Sequence, residues 1–143
     1  LYHVGRLDID TSGLLLLTND GELANRLTHP SYEIRKTYVA RLHGEVKPGV
    51  RRRLLAGIEL EDGPVAVDSF RLVDTYGDIT TVEIVVHEGR NRLVRRMMEA
   101  VGYPVRELVR TGFGPISLDH LKQGTTRRIK GNALTALYGA VGL

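Results

Sequence analysis

The sequence contains no cysteine and no tryptophan among its 143 residues. The lack of cysteine excludes a disulfide-stapled scaffold and a cysteine metal cluster, and it fits a reducing, cytoplasmic environment. No apolar run approaches the roughly 20 residues that a membrane-spanning helix needs, so we expect no membrane span. A chain of this length buries one sizeable core, and we therefore expect a single domain over residues 1–143.

An initiator methionine is also missing, since the sequence begins with Leu1. The first residues show none of the charge, apolar stretch and small-residue cleavage site of a signal peptide. We therefore expect this chain to be part of a longer protein. Internal repeats, low-complexity segments and linkers are absent as well, which agrees with one folded unit.

Lysine is scarce, because sixteen of the 20 basic residues are arginines. The formal net charge of +3 is too small by itself to require a polyanionic partner. Arginine, however, is favoured where a planar guanidinium group grips phosphates or base edges. The arginines cluster at residues 51–53, 90–96 and 127–128. This distribution indicates a nucleic-acid partner, with a solvated charged surface as the alternative.

Apolar periodicity and turn residues predict the secondary structure. We expect strands at 14–18, 34–42 and 103–111, two or three more between 58 and 87, and helices at 22–27, 49–56, 91–101 and 132–141. The segment 14–18 reads as a fully buried strand, and 79–86 is the clearest strand of the chain. Because strands outnumber helices and hairpin-length loops join most neighbours, we expect an α+β fold with a mainly antiparallel or mixed sheet flanked by a few helices.

Several familiar catalytic patterns are absent. No two histidines stand at ligand spacing with a carboxylate, no glycine-rich loop could cradle a phosphate, and no serine occupies a nucleophile elbow. The five histidines are scattered along the chain. We therefore expect neither a metal nor a nucleotide cofactor.

A polar segment, Gly5-Arg6-Leu7-Asp8-Ile9-Asp10-Thr11-Ser12-Gly13, stands directly before the leucine run. One interpretation is a loop in which Asp10 and its neighbours cap a turn. The other is a nucleophilic carboxylate held beside a rigid buried element. The residues alone leave both interpretations open, and they do not choose between Asp8 and Asp10.

A second segment, Glu88 to Arg96, leads from a strand into a helix that begins among four arginines. Positive charge at a helix start opposes the helix dipole, so an anionic partner would offset its cost. Arg92 and Arg96 could also be solvated on the outer face. Arg95 lies close to the apolar stripe, where an unpaired guanidinium group would be expensive.

Together these residues resemble a known family. Gly5-Arg6-Leu7-Asp8 with Thr11-Ser12-Gly13, Lys36-Thr37-Tyr38, Glu88-Gly89-Arg90 through Arg95-Arg96, and Gly114-Pro115-Ile116 occur in the order found in the bacterial ribosomal-RNA pseudouridine synthases. The form Asn91-Arg92-x-Val94-Arg95-Arg96 is most similar to the branch that modifies large-subunit ribosomal RNA, with the small-subunit branch as close kin. Relatives also carry an N-terminal S4-type domain and an opening strand that this sequence lacks, and many have His-Gln at 91–92.

The resemblance assigns roles to individual residues. It makes Asp8 the catalytic nucleophile and Tyr38 the residue that packs against the target base and assists proton removal. Arg95 corresponds to the basic residue that pairs with the catalytic carboxylate, and Arg6 to the residue that enters the space left by the flipped nucleotide. The remaining arginines of the second motif, Arg90, Arg92 and Arg96, would hold RNA.

The implied reaction isomerises a specific uridine to pseudouridine in ribosomal RNA, with no net redox change and no cofactor. The target base would leave its stack to reach the carboxylate. We expect ribosomal RNA as the partner and a monomer when the protein is complete, and little activity from this chain alone. A non-catalytic RNA-binding module is the alternative, but it would gain nothing from a carboxylate near phosphate. A β-rich interaction domain that binds no RNA would leave the four-arginine segment unexplained.

Overall fold

The computed structural model describes residues 1–143. Its strands are β1 (Tyr2–His3), β2 (Ser12–Gly13), β3 (Leu17–Thr18), β4 (Lys36–His43), β5 (Ile58–Leu60), β6 (Gly63–Val65), β7 (Ser69–Tyr76), β8 (Ile79–Val86), β9 (Val105–Phe113) and β10 (Ile116–Ser117). Its helices are α1 (Gly21–Thr28), α2 (Pro48–Ala56), α3 (Leu93–Ala100) and α4 (Asn132–Gly139), with a short 3₁₀ helix at Pro30–Tyr32. The predicted α+β class is confirmed.

The main sheet has the strand order β10-β9-β4-β8-β7, and all of these neighbours are antiparallel. The short strand β2 adds the one parallel pairing, against β9. Along β8, buried side chains alternate with half-buried ones, as expected for a strand with one face on the core. The prediction of a strand at Ile79–Val86 is confirmed to the residue.

Buried apolar side chains form two clusters. The larger cluster, of 16 residues, packs α2 and α3 against β4, β7 and β8. The smaller one, of 11 residues, packs α1 and α4 against Leu14, Leu16 and the end of the sheet. Strand β9 contributes Leu108 to the first cluster and Phe113 to the second. One strand therefore joins the two parts of the core.

Local signals in the sequence position the helices. The N-cap of α1 is Asp20, whose Oδ1 accepts a hydrogen bond from the Leu23 amide at 3.1 Å. Helix α2 begins at Pro48, and Gly57 follows its end at a φ of 112°, where a side chain would be strained. The four helices have only 8 or 9 residues each, too few to span a membrane.

The prediction of a fully buried strand at 14–18 is wrong. Only Leu17–Thr18 is a strand, and it pairs with β1. Leu14 and Leu16 are buried, whereas Leu15 and Leu17 are exposed. The reason is a change of partner: the Leu14 amide bonds to the Arg110 carbonyl oxygen of β9, and the chain then crosses to β1, so no continuous ladder forms.

Candidate active site

A cavity of about 600 Å³ opens beside the middle of the sheet. It lies between the two apolar clusters, because Val86 and Val94 of the larger cluster and Leu27 and Phe113 of the smaller one line it. Polar and charged side chains supply much of the remaining wall: Arg6, Asp8, Lys36, Tyr38, Glu88, Arg90, Asn91, Arg92 and Arg110. The two polar segments that the sequence singled out thus meet in space.

Asp8 lies half-buried in this wall, on a turn closed by a 3.0 Å hydrogen bond from the Thr11 amide to the Asp8 carbonyl oxygen. Its carboxylate forms no hydrogen bond or ion pair within the chain. After the turn, Gly13 pairs with Arg110 so closely that a Cβ atom at position 13 would lie 2.2 Å from the Arg110 carbonyl oxygen. The glycine therefore allows the chain to pair closely with β9 directly after the turn that carries Asp8.

Arg95 pairs with Asp10, not with Asp8. Its Nη2 donates to the Asp10 carbonyl oxygen at 2.6 Å, its Nε lies 3.3 Å from Asp10 Oδ2, and its Nη1 donates to the Val105 carbonyl oxygen at 3.2 Å. The expectation that Arg95 pairs with the Asp8 carboxylate is therefore wrong in this structure. The turn at residues 8–11 directs Asp10 towards α3, where Arg95 lies, while Asp8 stays on the cavity wall.

Arg92 holds the same carboxylate, since its Nη1 lies 2.8 Å from Asp10 Oδ1. This hydrogen bond, with the nearby charges of Arg95 and Arg92, lowers the pKa of Asp10. Arg92 also lies close to Asp8, and the negative charge of that carboxylate is one of the effects that raise the pKa of the Arg92 guanidinium group. Arg92, at the N-terminal end of α3, lines the same cavity as Asp8, whereas Arg95 does not.

Arg90 and Arg96 are held by Asp62, in the hairpin between β5 and β6. Arg96 Nη1 and Nη2 donate to the two Asp62 carboxylate oxygens at 2.9 Å, and Arg90 Nη1 donates to Oδ1 at 3.1 Å. The Arg96 hydrogen bonds lead the effects that lower the pKa of Asp62 to about 2. Arg90 also bonds Glu88, Nε to Oε1, at 2.9 Å. These two arginines thus stabilise the cavity rim, and their contact with RNA stays a prediction.

Arg6 differs from those arginines, because it is exposed on the cavity wall and forms no ion pair. Tyr38 also lines the cavity, half-buried on β4 and packed against the larger cluster. In the sheet, Tyr38 stands between Ile84 of β8 and Arg110 of β9. The structure therefore brings Arg6, Asp8 and Tyr38 to one cavity, and the roles that the resemblance gives them stay predictions.

Sequence reasoning missed two cations at this cavity. Arg110 is only 3% exposed, its Nε donates to the Leu14 carbonyl oxygen at 3.0 Å, and its Nη2 is buried without a partner. Lys36 places Nζ 5.7 Å from the centre of the Phe113 ring, and Arg110 Cζ lies 5.1 Å from the same ring. A sequence signal existed for Arg110, which follows Leu108 on the buried face of a strand.

Comparisons with known proteins identify the family to which the chain is similar. The profile of the family described as RNA pseudouridylate synthase matches residues 1–100. Over all 143 residues, the chain is 55% identical to a Mycobacterium tuberculosis protein described as an uncharacterized RNA pseudouridine synthase, of which it covers 56%. It is 47% identical over 131 residues to the ribosomal large subunit pseudouridine synthase B of Bacillus subtilis, with 90% of this chain and 54% of that protein covered.

A solved structure shows the same fold. The crystal structure of a pseudouridylate synthase superposes with a TM-score of 0.86 at 34% sequence identity, over 95% of this chain and 59% of that one. The chain therefore belongs to the RNA pseudouridylate synthase family. It spans about half the length of the curated relatives that it matches.

Proposed function

We propose that the protein isomerises a specific uridine of large-subunit ribosomal RNA to pseudouridine, with Asp8 as the nucleophile. The observation that carries the proposal is the unpaired, half-buried Asp8 carboxylate in a cavity that also contains Tyr38. The relative from Bacillus subtilis supports the choice of large-subunit RNA. We also propose a cytoplasmic location, because bacterial ribosomal RNA is made and assembled there.

The reaction breaks the bond between C1′ of the ribose and N1 of the uracil, turns the base and joins C1′ to C5. The proton at C5 is lost and N1 gains one, so the product is an isomer of the substrate. A base in folded RNA reaches a cavity only by leaving its stack. The Asp8 carboxylate then either attacks C1′ or stabilises the positive charge that develops there, as carboxylates do in glycoside cleavage.

The other cavity residues have matching tasks. Tyr38 offers an aromatic face for the extruded base, since bases stack on aromatic side chains in RNA recognition. Arg6, exposed on the wall and unpaired, is placed to fill the gap that the base leaves in the RNA. Arg92 and Arg95 hold Asp10 and thereby fix the turn that carries Asp8. The complete protein would act as a monomer, because one chain supplies all of these groups.

The test uses the full-length protein and an unmodified large-subunit ribosomal RNA. Pseudouridine is mapped by primer-extension stops after carbodiimide treatment. We expect Asp8→Asn to abolish the modification and to leave RNA affinity within a few-fold of the original value, because the amide keeps the shape and loses the nucleophile. Asp10→Asn should be milder, since its amide oxygen still accepts the Arg92 hydrogen bond.

The matched control is Asp74→Asn, on the exposed part of β7. It should modify RNA at the original rate. If Asp10 proved indispensable while Asp8→Asn stayed active, the assignment of the nucleophile would be wrong. RNA binding by the unsubstituted protein without any new pseudouridine would favour the non-catalytic RNA-binding module.

A further inference from the structure

The floor of the cavity carries two positive charges without an acidic partner. Both contact the Phe113 ring: Lys36 Nζ lies 5.7 Å from the ring centre, and Arg110 Cζ lies 5.1 Å from it. Arg90 and Arg92, on the same cavity, have their charges met by Asp62 and Asp10. Lys36 and Arg110 form no ion pair. The floor is therefore an uncompensated cationic site, defined here as the Lys36–Arg110 pair.

Burial makes this arrangement costly. Arg110 is 97% buried, and its Nη2 has no hydrogen-bond acceptor. Burial, followed by the charge of Arg110, lowers the pKa of Lys36. Buried donors in folded proteins nearly always have an acceptor, and an exception calls for a reason such as a ligand. Arg110 lines the cavity, so a ligand bound there can supply the acceptor that the chain does not.

The depth of the site indicates which part of the RNA supplies it. A phosphate remains in the RNA backbone, which stays outside at the cavity rim, whereas an extruded base enters the pocket. Arg110 stands directly opposite Tyr38 in the pairing of β9 with β4, next to the aromatic face proposed to hold the base. An extruded uracil ring, whose acceptors are its two carbonyl oxygens, is therefore the part of the RNA that suits a site at this depth.

The reaction itself increases the need for positive charge at this point. When the C1′–N1 bond breaks, its electron pair stays on N1, and conjugation spreads the negative charge over N1, C5 and both carbonyl oxygens. The charge is withdrawn when C5 forms the new bond to C1′, C5 loses its proton and N1 gains one. Cations fixed in advance beside these oxygens stabilise the anion more than the neutral substrate, which is the condition for catalysis.

We propose that the Lys36–Arg110 pair binds the carbonyl oxygens of the extruded uracil and stabilises the detached uracil anion. This inference rests on the proposed function. It makes Lys36 and Arg110 catalytic residues in addition to Asp8, and it applies whether Asp8 attacks C1′ or only assists departure of the base.

The first test measures chemistry and binding separately in the full-length protein. Single-turnover release of tritium from RNA labelled at uridine C5 reports the rate at saturating enzyme, and filter binding reports Kd. We expect Lys36→Met to lower the rate by about 10²-fold or more, the loss typical of removing one oxyanion donor, with Kd changed less than threefold. Arg110→Lys, which keeps the charge, should lose less. Lys130→Met, on an exposed residue, is the matched control and should change neither.

The second test does not depend on turnover. Barbiturate, a pyrimidine that is anionic at neutral pH, and neutral uracil are titrated into the protein, and amide shifts of cavity residues are followed by NMR. We expect barbiturate to bind more tightly than uracil, and Lys36→Met to remove the preference. Lys36→Met keeps Arg110 and its contact with Leu14, so the fold should survive, and thermal unfolding checks this.

Three outcomes would overturn the inference. In the first, Lys36→Met raises Kd and leaves the saturated rate unchanged, which marks a phosphate contact. In the second, Lys36→Met behaves like Lys130→Met in both rate and Kd. In the third, barbiturate and uracil bind equally. A protein that prefers barbiturate through Lys36 but makes no pseudouridine would instead refute the proposed function and leave the anion site standing.

Discussion

Arg95 and Asp10 are joined by a hydrogen bond of 2.6 Å from Nη2 to the Asp10 carbonyl oxygen and by an ion contact of 3.3 Å from Nε to Oδ2. One side chain therefore holds both the backbone and the carboxylate of the same residue. Because Asp10 lies two positions after Asp8 in one tight turn, we expect Arg95 to act as a positioning residue that sets the place of the Asp8 carboxylate without touching it.

Replacing Arg95 with alanine should therefore reduce turnover sharply. A displacement of about 1 Å of a reacting group costs roughly 10²-fold in rate, and we expect a loss of that order for Arg95→Ala in the full-length protein. Arg95→Lys should retain part of the activity, because its ammonium group still reaches the Asp10 carboxylate. The measurement is single-turnover tritium release at saturating RNA.

The control for this prediction is Arg52→Ala, on an exposed residue of α2. It should weaken RNA binding slightly and lower its salt dependence, as the loss of a phosphate contact does, with an unchanged rate at saturation. Equal turnover for Arg95→Ala and Arg52→Ala would remove the special role of Arg95.

The ion pairs of Asp62 predict a pH-dependent contribution to stability. The pKa of Asp62 is about 2 in the folded protein, below its ordinary value of 3.8. A lowered folded-state pKa means that the contribution is present above about pH 4 and is lost as the pH falls through the folded value of about 2. Asp62→Asn should thus lower the midpoint of urea unfolding at pH 7 and leave a smaller difference near pH 2.

Salt provides an independent check on this prediction. Because Asp62 is nearly half exposed, screening should reduce the effect of Asp62→Asn in 1 M salt. Asp74→Asn, without an ion pair, should leave the unfolding midpoint unchanged at both pH values. A difference for Asp62→Asn that persisted undiminished near pH 2 would show that charge is not its cause.

Gly13 should tolerate no side chain. Its φ is 117°, and an added Cβ would meet the Arg110 carbonyl oxygen at 2.2 Å, so either β2 leaves β9 or the backbone shifts. We expect Gly13→Ala to lower the free energy of unfolding by about 2 kcal/mol or more. Gly49→Ala is the matched control, because it lies in α2 with open space around it and should be neutral or stabilising by up to about 1 kcal/mol. Urea unfolding of both variants tests the difference.

Much of the fold could be predicted because its signals are local. Strand β8 follows from strict alternation, and α2 from a proline at its start and a glycine after its end. The predicted strand at the leucine run 14–18 is wrong because apolar residues alone do not reveal that the chain changes pairing partner after Leu14. Local patterns thus predict where strands and helices occur, but not which strands pair with one another.

For the candidate site, too, the local segments could be predicted from the sequence, but their contacts in space could not. Its two polar segments could be identified from residue types and from the resemblance, and they do meet at the cavity. The acidic partners of their arginines could not be predicted, because these pairs are distant in sequence. Arg96 pairs with Asp62 at a separation of 34 residues, and Arg95 pairs with Asp10 at a separation of 85. The buried position of Arg110 likewise depends on the pairing of β9 with β2 and β4.

The hairpin of β5 and β6 forms a sheet of its own and is hydrogen-bonded to no strand of the main sheet. It meets the cavity rim through Asp62 and through the carbonyl oxygens of Gly63 and Pro64, which accept from Arg90. Apart from Asp62, residues at its tip can therefore change without breaking a backbone hydrogen bond of the strands that hold Tyr38 and Arg110. The entrance of the cavity is thus shaped by a hairpin that is coupled to the main sheet through side chains, so the rim and the sheet can be altered independently.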